Sequence, residues 1–212
     1  MYFFWRSFWD KIWPRVCYSC ACELVLAEST LCSTCLDEVH AAQLSVQHPL
    51  PLLDSTECWL DFDAKPVQRF MHQVKFGQRP EMAFRLGQLY AATHEPPHVD
   101  ALVPAPLSWR RHWVRGYNQS EWLVRGLAQE WQLPVWRVLR KKHRPPQAKM
   151  KLEDRSKSAH GAYWLAQSLP PGCRLQLWDD TLTTGATLQA MAVVLYRGGA
   201  SEVHGATLAR AL

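Results

Sequence analysis

Apolar residues between positions 67 and 90 recur at the i, i+3, i+4, i+7 spacing of one helical face. This spacing predicts one helix over 67–74 and a second helix over 82–90. Gly77 and Pro80 lie between the two stretches, and neither residue favours a helix interior. The chain therefore turns between two helices in this region.

After residue 98 the pattern alternates between short apolar runs, typical of buried strands, and stretches with helical spacing. Strands are predicted over 99–104, 135–139, 175–178 and 202–208, and helices over 117–131 and 188–196. This alternation predicts an α/β fold with a parallel sheet and helices on its faces. Two segments lack a pattern: 48–57 is interpreted as a linker, and the basic segment 140–160 as a long loop.

The first residues form an aromatic-rich segment. Residues 1–13 predict a mildly amphipathic helix, which packs on the following segment in one interpretation and attaches to a membrane surface in the other. Arg6, Asp10 and Lys11 interrupt its apolar character, so it does not resemble a signal peptide. No run reaches the roughly 18 consecutive apolar residues of a transmembrane segment. We therefore expect a cytoplasmic protein.

Two CxxC pairs, Cys17/Cys20 and Cys32/Cys35, account for four of the seven cysteines. In a reducing compartment such pairs favour a metal site over a disulfide framework. Four thiolates form a closed, structural Zn²⁺ site, so the spacing predicts a small zinc ribbon that the metal helps to fold. The alternative is a set of reduced cysteines within the core.

Three further cysteines lie outside these pairs. Cys22 is so close to Cys20 that it competes with the paired cysteines for the metal. Cys58 and Cys173 are expected to be buried as small apolar residues. The choice of Cys17, Cys20, Cys32 and Cys35 as ligands therefore leaves the role of Cys22 open.

The net charge of +5 is concentrated in one part of the chain. Residues 104–157 contain 13 Lys and Arg against 4 Asp and Glu, and the rest of the chain is acidic. This local excess predicts a polyanionic ligand such as a diphosphate, a nucleic acid or both. Trp109, Trp113 and Trp136 lie among these basic residues, where they can stack on single-stranded DNA. The alternative is that these tryptophans belong to the core or to an interface.

The most specific chemical signal is the segment Asp179-Asp180-Thr181-Leu182-Thr183-Thr184-Gly185-Ala186-Thr187. An apolar strand delivers the two carboxylates to the carboxyl edge of the predicted sheet, where ligands bind in open α/β folds. Gly185 permits a tight turn, and the following helix presents its N–H groups and dipole to an anion. The segment therefore predicts a terminal-phosphate cradle formed by Thr183, Thr184, Gly185, Ala186 and Thr187.

The paired carboxylates have a different role. Asp179 and Asp180 lie at the distance of a sugar from the phosphate cradle and suit vicinal ribose hydroxyls. An ordinary strand–turn–helix with a Thr cap explains one Thr or one Asp, but not the whole sequence. The segment resembles the phosphoribosyl pyrophosphate (PRPP) signature of type I phosphoribosyltransferases. Asp179 and Asp180 are the predicted catalytic residues, and PRPP is the predicted ligand.

More of the chain resembles the ComF/GntX family of phosphoribosyltransferase-like proteins, which is associated with competence and the use of external DNA. The resemblance covers the paired cysteines, 74–77, 103–107, 115–119, Gln147, Arg155, 161–163 and the PRPP segment. It implies a type I phosphoribosyltransferase-like parallel sheet with flanking helices and a small N-terminal zinc-ribbon module with four cysteine ligands. Ser158 replaces the usual Asn, and 144–146 lacks the usual Thr.

The resemblance also implies a diphosphate site. In type I enzymes the diphosphate binds to the loop after the first strand, which here is 106–111. Arg110, Arg111 and Arg115 are the implied ligands, with Lys75 nearby if the preceding helix folds back. Mg²⁺ would be held mainly by the diphosphate and water. The alternative for each arginine is a solvated basic loop.

The implied organisation is an aromatic helix over 1–13, a double-CxxC zinc-ribbon module over 14–47 and a phosphoribosyltransferase-like domain over 58–212. The implied function is PRPP binding in DNA uptake (competence) or in the utilisation of external DNA. Single-stranded DNA and DNA-uptake proteins are the candidate partners, in the cytoplasm or at the inner face of the membrane. Two alternatives stay open: an active nucleobase- or nucleotide-salvage phosphoribosyltransferase, which is a glycosyltransferase, and an adapter whose PRPP segment is a relic.

Overall fold

A computed structural model describes residues 16–25, 31–44, 47–77, 79–142 and 161–211. Its strands are β1 (Ser55–Asp61), β2 (Ala101–Pro104), β3 (Leu139–Lys141), β4 (Tyr163–Leu165), β5 (Arg174–Leu182) and β6 (Glu202–Arg210). Four of them form a parallel sheet in the order β1-β6-β5-β2. The other two, β3 and β4, pair antiparallel.

Helices cover both faces of the parallel sheet. They are α1 (Ser33–Ala41), α2 (Lys65–Phe76), α3 (Pro80–Thr93), α4 (Trp109–Arg115), α5 (Gln119–Trp131) and α6 (Ala186–Arg197). Successive residues of a strand point to opposite faces, so Trp178 packs with α2, α3 and α5, whereas Leu177 packs with α6. A parallel sheet with flanking helices confirms the predicted fold class.

The long helices α3 and α5 cross with their backbones in contact. A Cβ atom on Gly87 would collide with the carbonyl oxygen of Leu123, and one on Gly126 with that of Phe84. Glycine at both positions therefore permits this close approach. The crossing holds the first turn of α5 beside β2 and β5, at the carboxyl edge of the sheet.

The sheet separates two core clusters, the first on the face with Trp178 and α2 and the second on the face with Leu177 and α6. The cysteine segment packs against the first core cluster. Cys17, Cys35 and Val39 belong to the same buried cluster as Trp59 of β1 and Phe70 of α2. Glu38 of α1 and Arg69 of α2 form an ion pair of 2.6 Å. The N-terminal segment is thus joined to the sheet through apolar side chains. The domain boundaries predicted from the sequence stay a prediction.

The predicted helices are confirmed as α2, α3, α5 and α6, with α5 beginning at Gln119. The linker predicted over 48–57 is wrong at its end, because β1 begins at Ser55. Pairing with β6 buries Thr56, so polar residues here form a strand despite their weak apolar pattern. The residues before β1 also bridge to it, at Gln43–Leu60 and Gln47–Glu57.

The basic segment contains a second departure from the predictions. Arg140 and Lys141 lie in β3, so the loop predicted over 140–160 is wrong at its start. The strand predicted over 135–139 is also not continuous. Val135 forms a single bridge to Leu102, and Leu139 is the first residue of β3. Charged residues form a strand here because β4 supplies the pairing from a distant part of the chain.

Some predictions fall outside the described residues. These are the helix over 1–13, the predicted loop from residue 143 onward with its segment 144–146, and the positions Gln147, Arg155 and Ser158. Within the described ranges, no helix is both long and apolar enough to cross a membrane.

Candidate functional site

A cleft opens at the carboxyl edge of the parallel sheet, between the end of β5 and the basic segments. It encloses about 640 Å³ of space, part of it open to solvent. Its lining residues are Lys75, Ala105, Pro106, Leu107, Arg111, Arg115, Gln119, Ser120, Lys141, Tyr163, Asp179, Asp180, Thr181 and Thr187. Most of the predicted carboxylates and cations therefore share one cleft.

The two aspartates at the end of β5 have different surroundings. Asp179 accepts hydrogen bonds from the Ser120 hydroxyl at 3.3 Å and from the Asp180 N–H at 2.8 Å. Burial, with the neighbouring charge of Asp180 as a second cause, raises the pKa of Asp179 to about 7. Asp180 faces Lys75 instead. Asp179 can therefore exchange a proton near neutral pH.

Lys75 reaches the cleft from the last turn of α2. Its Nζ donates to the Thr181 hydroxyl at 2.9 Å and lies 3.6 Å from Asp180 Oδ2. Both partners of this ion pair are about one-fifth exposed, so the pair is partly shielded from water. The structure thus brings the predicted Lys75 next to the predicted carboxylates, across the sheet edge.

The predicted arginines divide into two groups. Arg111 and Arg115 line the cleft from α4, whereas Arg110 is exposed and is not one of the described lining residues. Burial lowers the pKa of Arg115, and its guanidinium lies over the Phe76 ring at 5.3 Å. Arg111 and Arg115 are therefore placed to meet an anion in the cleft, and Arg110 faces outward.

The predicted phosphate cradle forms the turn between β5 and α6. Gly185 caps α6 with a left-handed φ of 72°, and a Cβ there would lie 2.6 Å from the Leu50 side chain. Ala186 donates its N–H to the Thr184 hydroxyl at 3.4 Å. Of the cradle residues, Thr187 lines the cleft, while Thr183 and Thr184 are exposed to solvent. The turn leaves the first N–H groups of α6 at the sheet edge.

Two cleft residues without a predicted role come from the antiparallel pair of β3 and β4. The Lys141 ammonium lies 4.9 Å from the centre of the Tyr163 ring. Burial lowers the pKa of Lys141, and the charge of Asp179 opposes that shift. Tyr163 also contacts the Thr187 hydroxyl. Tyr163 belongs to the motif at 161–163, but only the pairing of the two strands reveals that both residues face the cleft.

The cysteine segment contains a second candidate site. The sulfur atoms of Cys17, Cys20, Cys22 and Cys32 all lie within 4.8 Å of one another. Cys20 Sγ is 3.3 Å from Cys22 Sγ and 3.7 Å from Cys32 Sγ. Sulfur ligands about 2.3 Å from a tetrahedral Zn²⁺ lie roughly 3.8 Å apart, so this cluster fits zinc.

Cys35, the remaining predicted ligand, lies on the core side of this cluster. Cys35 is not one of the four sulfurs that lie within 4.8 Å of one another, but it is 2% exposed and belongs to the same buried cluster as Cys17 and Cys32. Burial raises the pKa of Cys35. The group of four neighbouring sulfurs thus contains Cys22 in place of the predicted Cys35. Cys58 and Cys173 are buried, as expected.

Comparison with known proteins gives relatives over nearly the full chain. Competence protein F of Haemophilus influenzae is 31% identical, over 92% of this chain and 96% of that protein. The chain belongs to the ComF family. The DNA utilization protein YhgH of Escherichia coli K12 is 30% identical, over 94% of this chain and 98% of that protein. Competence protein ComFC of Bacillus subtilis is 28% identical, over 97% and 89%. No model of a known protein family matches the chain.

Some solved enzyme structures are distantly similar to this ComF chain. The allosteric regulatory enzyme of purine biosynthesis is 17% identical with a TM-score of 0.45, over 65% of this chain and 30% of that chain. A purine phosphoribosyltransferase from Pyrococcus horikoshii is 13% identical with a TM-score of 0.34, over 64% and 83%.

The ComF segment 115–119 builds one wall of the cleft. The Tyr117 hydroxyl donates to the Val74 carbonyl and thereby ties the start of α5 to the end of α2. The Asn118 amide donates to the Ala105 carbonyl at 2.9 Å and ties the same turn to the loop after β2. Gln119 is 1% exposed, and its Nε2 has no hydrogen-bond partner among the described residues. A ligand in the cleft can satisfy this donor.

Proposed function

We propose that this ComF protein binds PRPP together with Mg²⁺ in the cleft, and that it acts in DNA uptake or in the use of external DNA. One observation carries the proposal: two adjacent carboxylates and four basic side chains line the same cleft, the basic ones being Lys75, Arg111, Arg115 and Lys141. PRPP has vicinal hydroxyls that suit carboxylates and a diphosphate that suits cations. The α6 N-terminus adds a position for its 5-phosphate.

The ribose would bind at the end of β5. Asp179 and Asp180 offer oxygen acceptors to the two hydroxyls, and Gln119 offers an unpaired amide donor. Asp179 is held in place by Ser120 and by the backbone, so little side-chain entropy is lost on binding. The sugar thus meets groups that are already oriented.

The diphosphate would bind between α2 and α4. Arg111 and Arg115 supply planar, bidentate donors, and Lys75 supplies a point charge beside Asp180. Mg²⁺ would be held mainly by the diphosphate and water, with Asp179 and Asp180 as nearby oxygen ligands, since Mg²⁺ prefers oxygen and retains several waters. Arg110, which faces solvent, has no place in this arrangement.

The DNA role rests on the relatives and on an exposed surface. The relatives are named competence or DNA utilization proteins. In this chain α4 buries none of its residues, and Trp113 is 85% exposed beside Arg110 and His112. An exposed aromatic ring among basic residues suits stacking on single-stranded DNA. We propose the outer face of α4 as the contact surface, in the cytoplasm or at the inner face of the membrane.

A second candidate function is turnover of PRPP in nucleobase salvage. An acceptor nitrogen would form a bond to ribose C1 as the bond to diphosphate breaks, and the diphosphate would leave with the electron pair. The observation in its favour is Asp179, because a group with a pKa of about 7 can accept the proton that the acceptor loses. Positioning and charge stabilisation would supply the remaining rate enhancement.

Calorimetric titration of the full chain with PRPP and Mg²⁺ tests the proposed function. Asp179→Asn and Asp180→Asn are expected to weaken binding at least about tenfold, since charge-assisted hydrogen bonds contribute roughly 1.5–3 kcal/mol. Asp63→Asn, in an exposed turn after β1, is the control and should bind like the wild type. Absence of binding by the wild type would refute PRPP as the ligand. Release of diphosphate on addition of purine or pyrimidine bases would separate turnover from binding alone.

A further inference from the structure

The cysteine cluster contains five thiols, although a tetrahedral zinc site needs four. Cys17, Cys20 and Cys32 lie between the two remaining cysteines, Cys22 and Cys35. Cys22 joins them in a group whose sulfur atoms all lie within 4.8 Å of one another, and Cys22 is exposed. Cys35 lies on the core side, where it is 2% exposed and shares a buried cluster with Cys17 and Cys32, and its thiol interacts electrostatically with those of the same three cysteines.

The position of Cys22 is held by the backbone. Cys17 donates its N–H to the Cys22 carbonyl at 2.8 Å, and Ala21 donates to the Cys17 carbonyl at 2.9 Å. Ala21 has a left-handed φ of 62°, a conformation that costs an L-residue roughly 1–2 kcal/mol. A bridge between Val16 and Glu23 closes the turn. This turn folds Cys22 back over Cys17.

The position of Cys35 is held by different contacts. Cys35 lies in the first turn of α1, which follows Cys32 directly, and Leu36 donates its N–H to the Cys32 carbonyl at 3.0 Å. Its side chain belongs to the first core cluster, with Val39 and Phe70. The two candidate ligands therefore approach the shared three from separate structural elements, one facing solvent and one facing the core.

We propose that Cys17, Cys20 and Cys32 are constant metal ligands, and that Cys22 and Cys35 exchange as the fourth. The Cys35-bound form is shielded by the core. The Cys22-bound form brings the metal toward solvent, where a competing chelator can reach it. The chain would thus hold zinc as a structural metal and still provide a route for its exchange through Cys22.

Cobalt substitution of the full chain tests the ligand sets, because thiolate-to-cobalt charge-transfer absorbance increases with each thiolate bound. Cys22→Ser and Cys35→Ser should each keep the four-thiolate spectrum of the wild type, and the double variant should lose one thiolate. Loss of a thiolate in Cys22→Ser alone would make Cys22 a constant ligand. Loss of a thiolate in Cys35→Ser alone would show that Cys22 does not bind the metal. Either outcome overturns the proposal.

A second measurement avoids dependence on the buried Cys35. The rate of zinc transfer to a chromogenic chelator is expected to fall several-fold in Cys22→Ser, because the solvent-side route is removed. An unchanged transfer rate would indicate that Cys22 does not bind the metal, and a faster rate would indicate that Cys22 is a constant ligand. Either result contradicts exchange between Cys22 and Cys35. Glu23→Gln, exposed in the same turn, is the matched control and should release zinc like the wild type.

Discussion

Lys75, in the last turn of α2, lies with its ammonium 3.6 Å from a carboxylate oxygen of Asp180, near the carboxyl end of β5. The pair joins two segments that are distant in the sequence. It places a cation directly beside the carboxylates proposed to bind ribose, where a diphosphate would also be found. Packing of α2 on the sheet therefore assembles the cleft, and the contribution of each side chain can be tested separately.

Replacement of Lys75 by Met is expected to weaken binding of PRPP and Mg²⁺ by roughly 10–100-fold, because one charge-assisted contact is lost. Lys75→Arg should retain part of the affinity because it retains the charge. Lys65→Met, at the exposed start of the same helix, is the matched control. Calorimetry measures all three. Equal affinity of Lys75→Met and wild type would exclude Lys75 from the diphosphate site.

Asp179→Asn is expected to stabilise the fold at neutral and alkaline pH while weakening PRPP binding. The folded-state pKa of Asp179 is raised from 3.8 to about 7, so the charged form is penalised in the folded protein. The wild type should therefore lose stability relative to the variant as pH rises from 3.8 to about 7, and the difference should then level off.

Thermal unfolding at a series of pH values measures this effect. With allowance for solvent screening, the free energy is on the order of 1 kcal/mol, or roughly 2–4 °C in Tm for a chain of this size. Asp63→Asn again serves as the control. A variant that is less stable than the wild type at every pH would show that Asp179 has a stabilising role in the fold.

Gly185→Ala is expected to destabilise the turn before α6 for two separate reasons. The left-handed φ of 72° costs an alanine about 1 kcal/mol, and its Cβ would press on Leu50. Leu50→Ala in the same chain should relieve the second cost but not the first. Chemical denaturation should therefore show partial recovery in the double variant. Full recovery would mean that the backbone conformation costs nothing at this position.

Removal of zinc by a chelator is expected to expose the cysteine segment before the rest of the fold. Amide hydrogen exchange should increase in α1 and, to a smaller extent, in α2, because Cys35 and Phe70 share one core cluster. Helix α6, whose Met191 belongs to the core cluster on the other face of the sheet, should keep its protection against hydrogen exchange. Uniform loss of protection in all three helices would show a single cooperative unit.

Trp113→Ala and Arg110→Gln are expected to weaken binding of single-stranded DNA by different mechanisms. The first removes a stacking surface worth roughly 1–3 kcal/mol per base. The second removes a phosphate contact and should lower the slope of affinity against salt by about 0.7. Trp164→Ala, on β4 and 40% exposed, is the control for loss of an exposed tryptophan. Fluorescence anisotropy with a labelled strand at several salt concentrations distinguishes these effects, and unchanged binding in both variants would exclude α4.

The local elements could be predicted from the sequence where the pattern is strongly periodic. Helices α2, α3, α5 and α6 and the β5–α6 turn follow from spacing and from Gly185 alone. Strand β1 could not be predicted, since Ser55 and Glu57 are polar and become part of a strand only by pairing with β6. The same holds for β3, whose basic residues pair with β4.

The candidate sites show the same division. The Asp179–Thr187 segment and the CxxC pairs could be recognised in the sequence, because their chemistry depends on residues that are neighbours in the chain. Only the folded chain shows that Lys75, Lys141 and Tyr163 face the same cleft, that Arg110 does not, and that Cys22 joins the cysteine cluster. These relationships depend on helix packing, strand pairing and a backbone turn, which bring together residues that are far apart in the sequence or fix the direction in which they point.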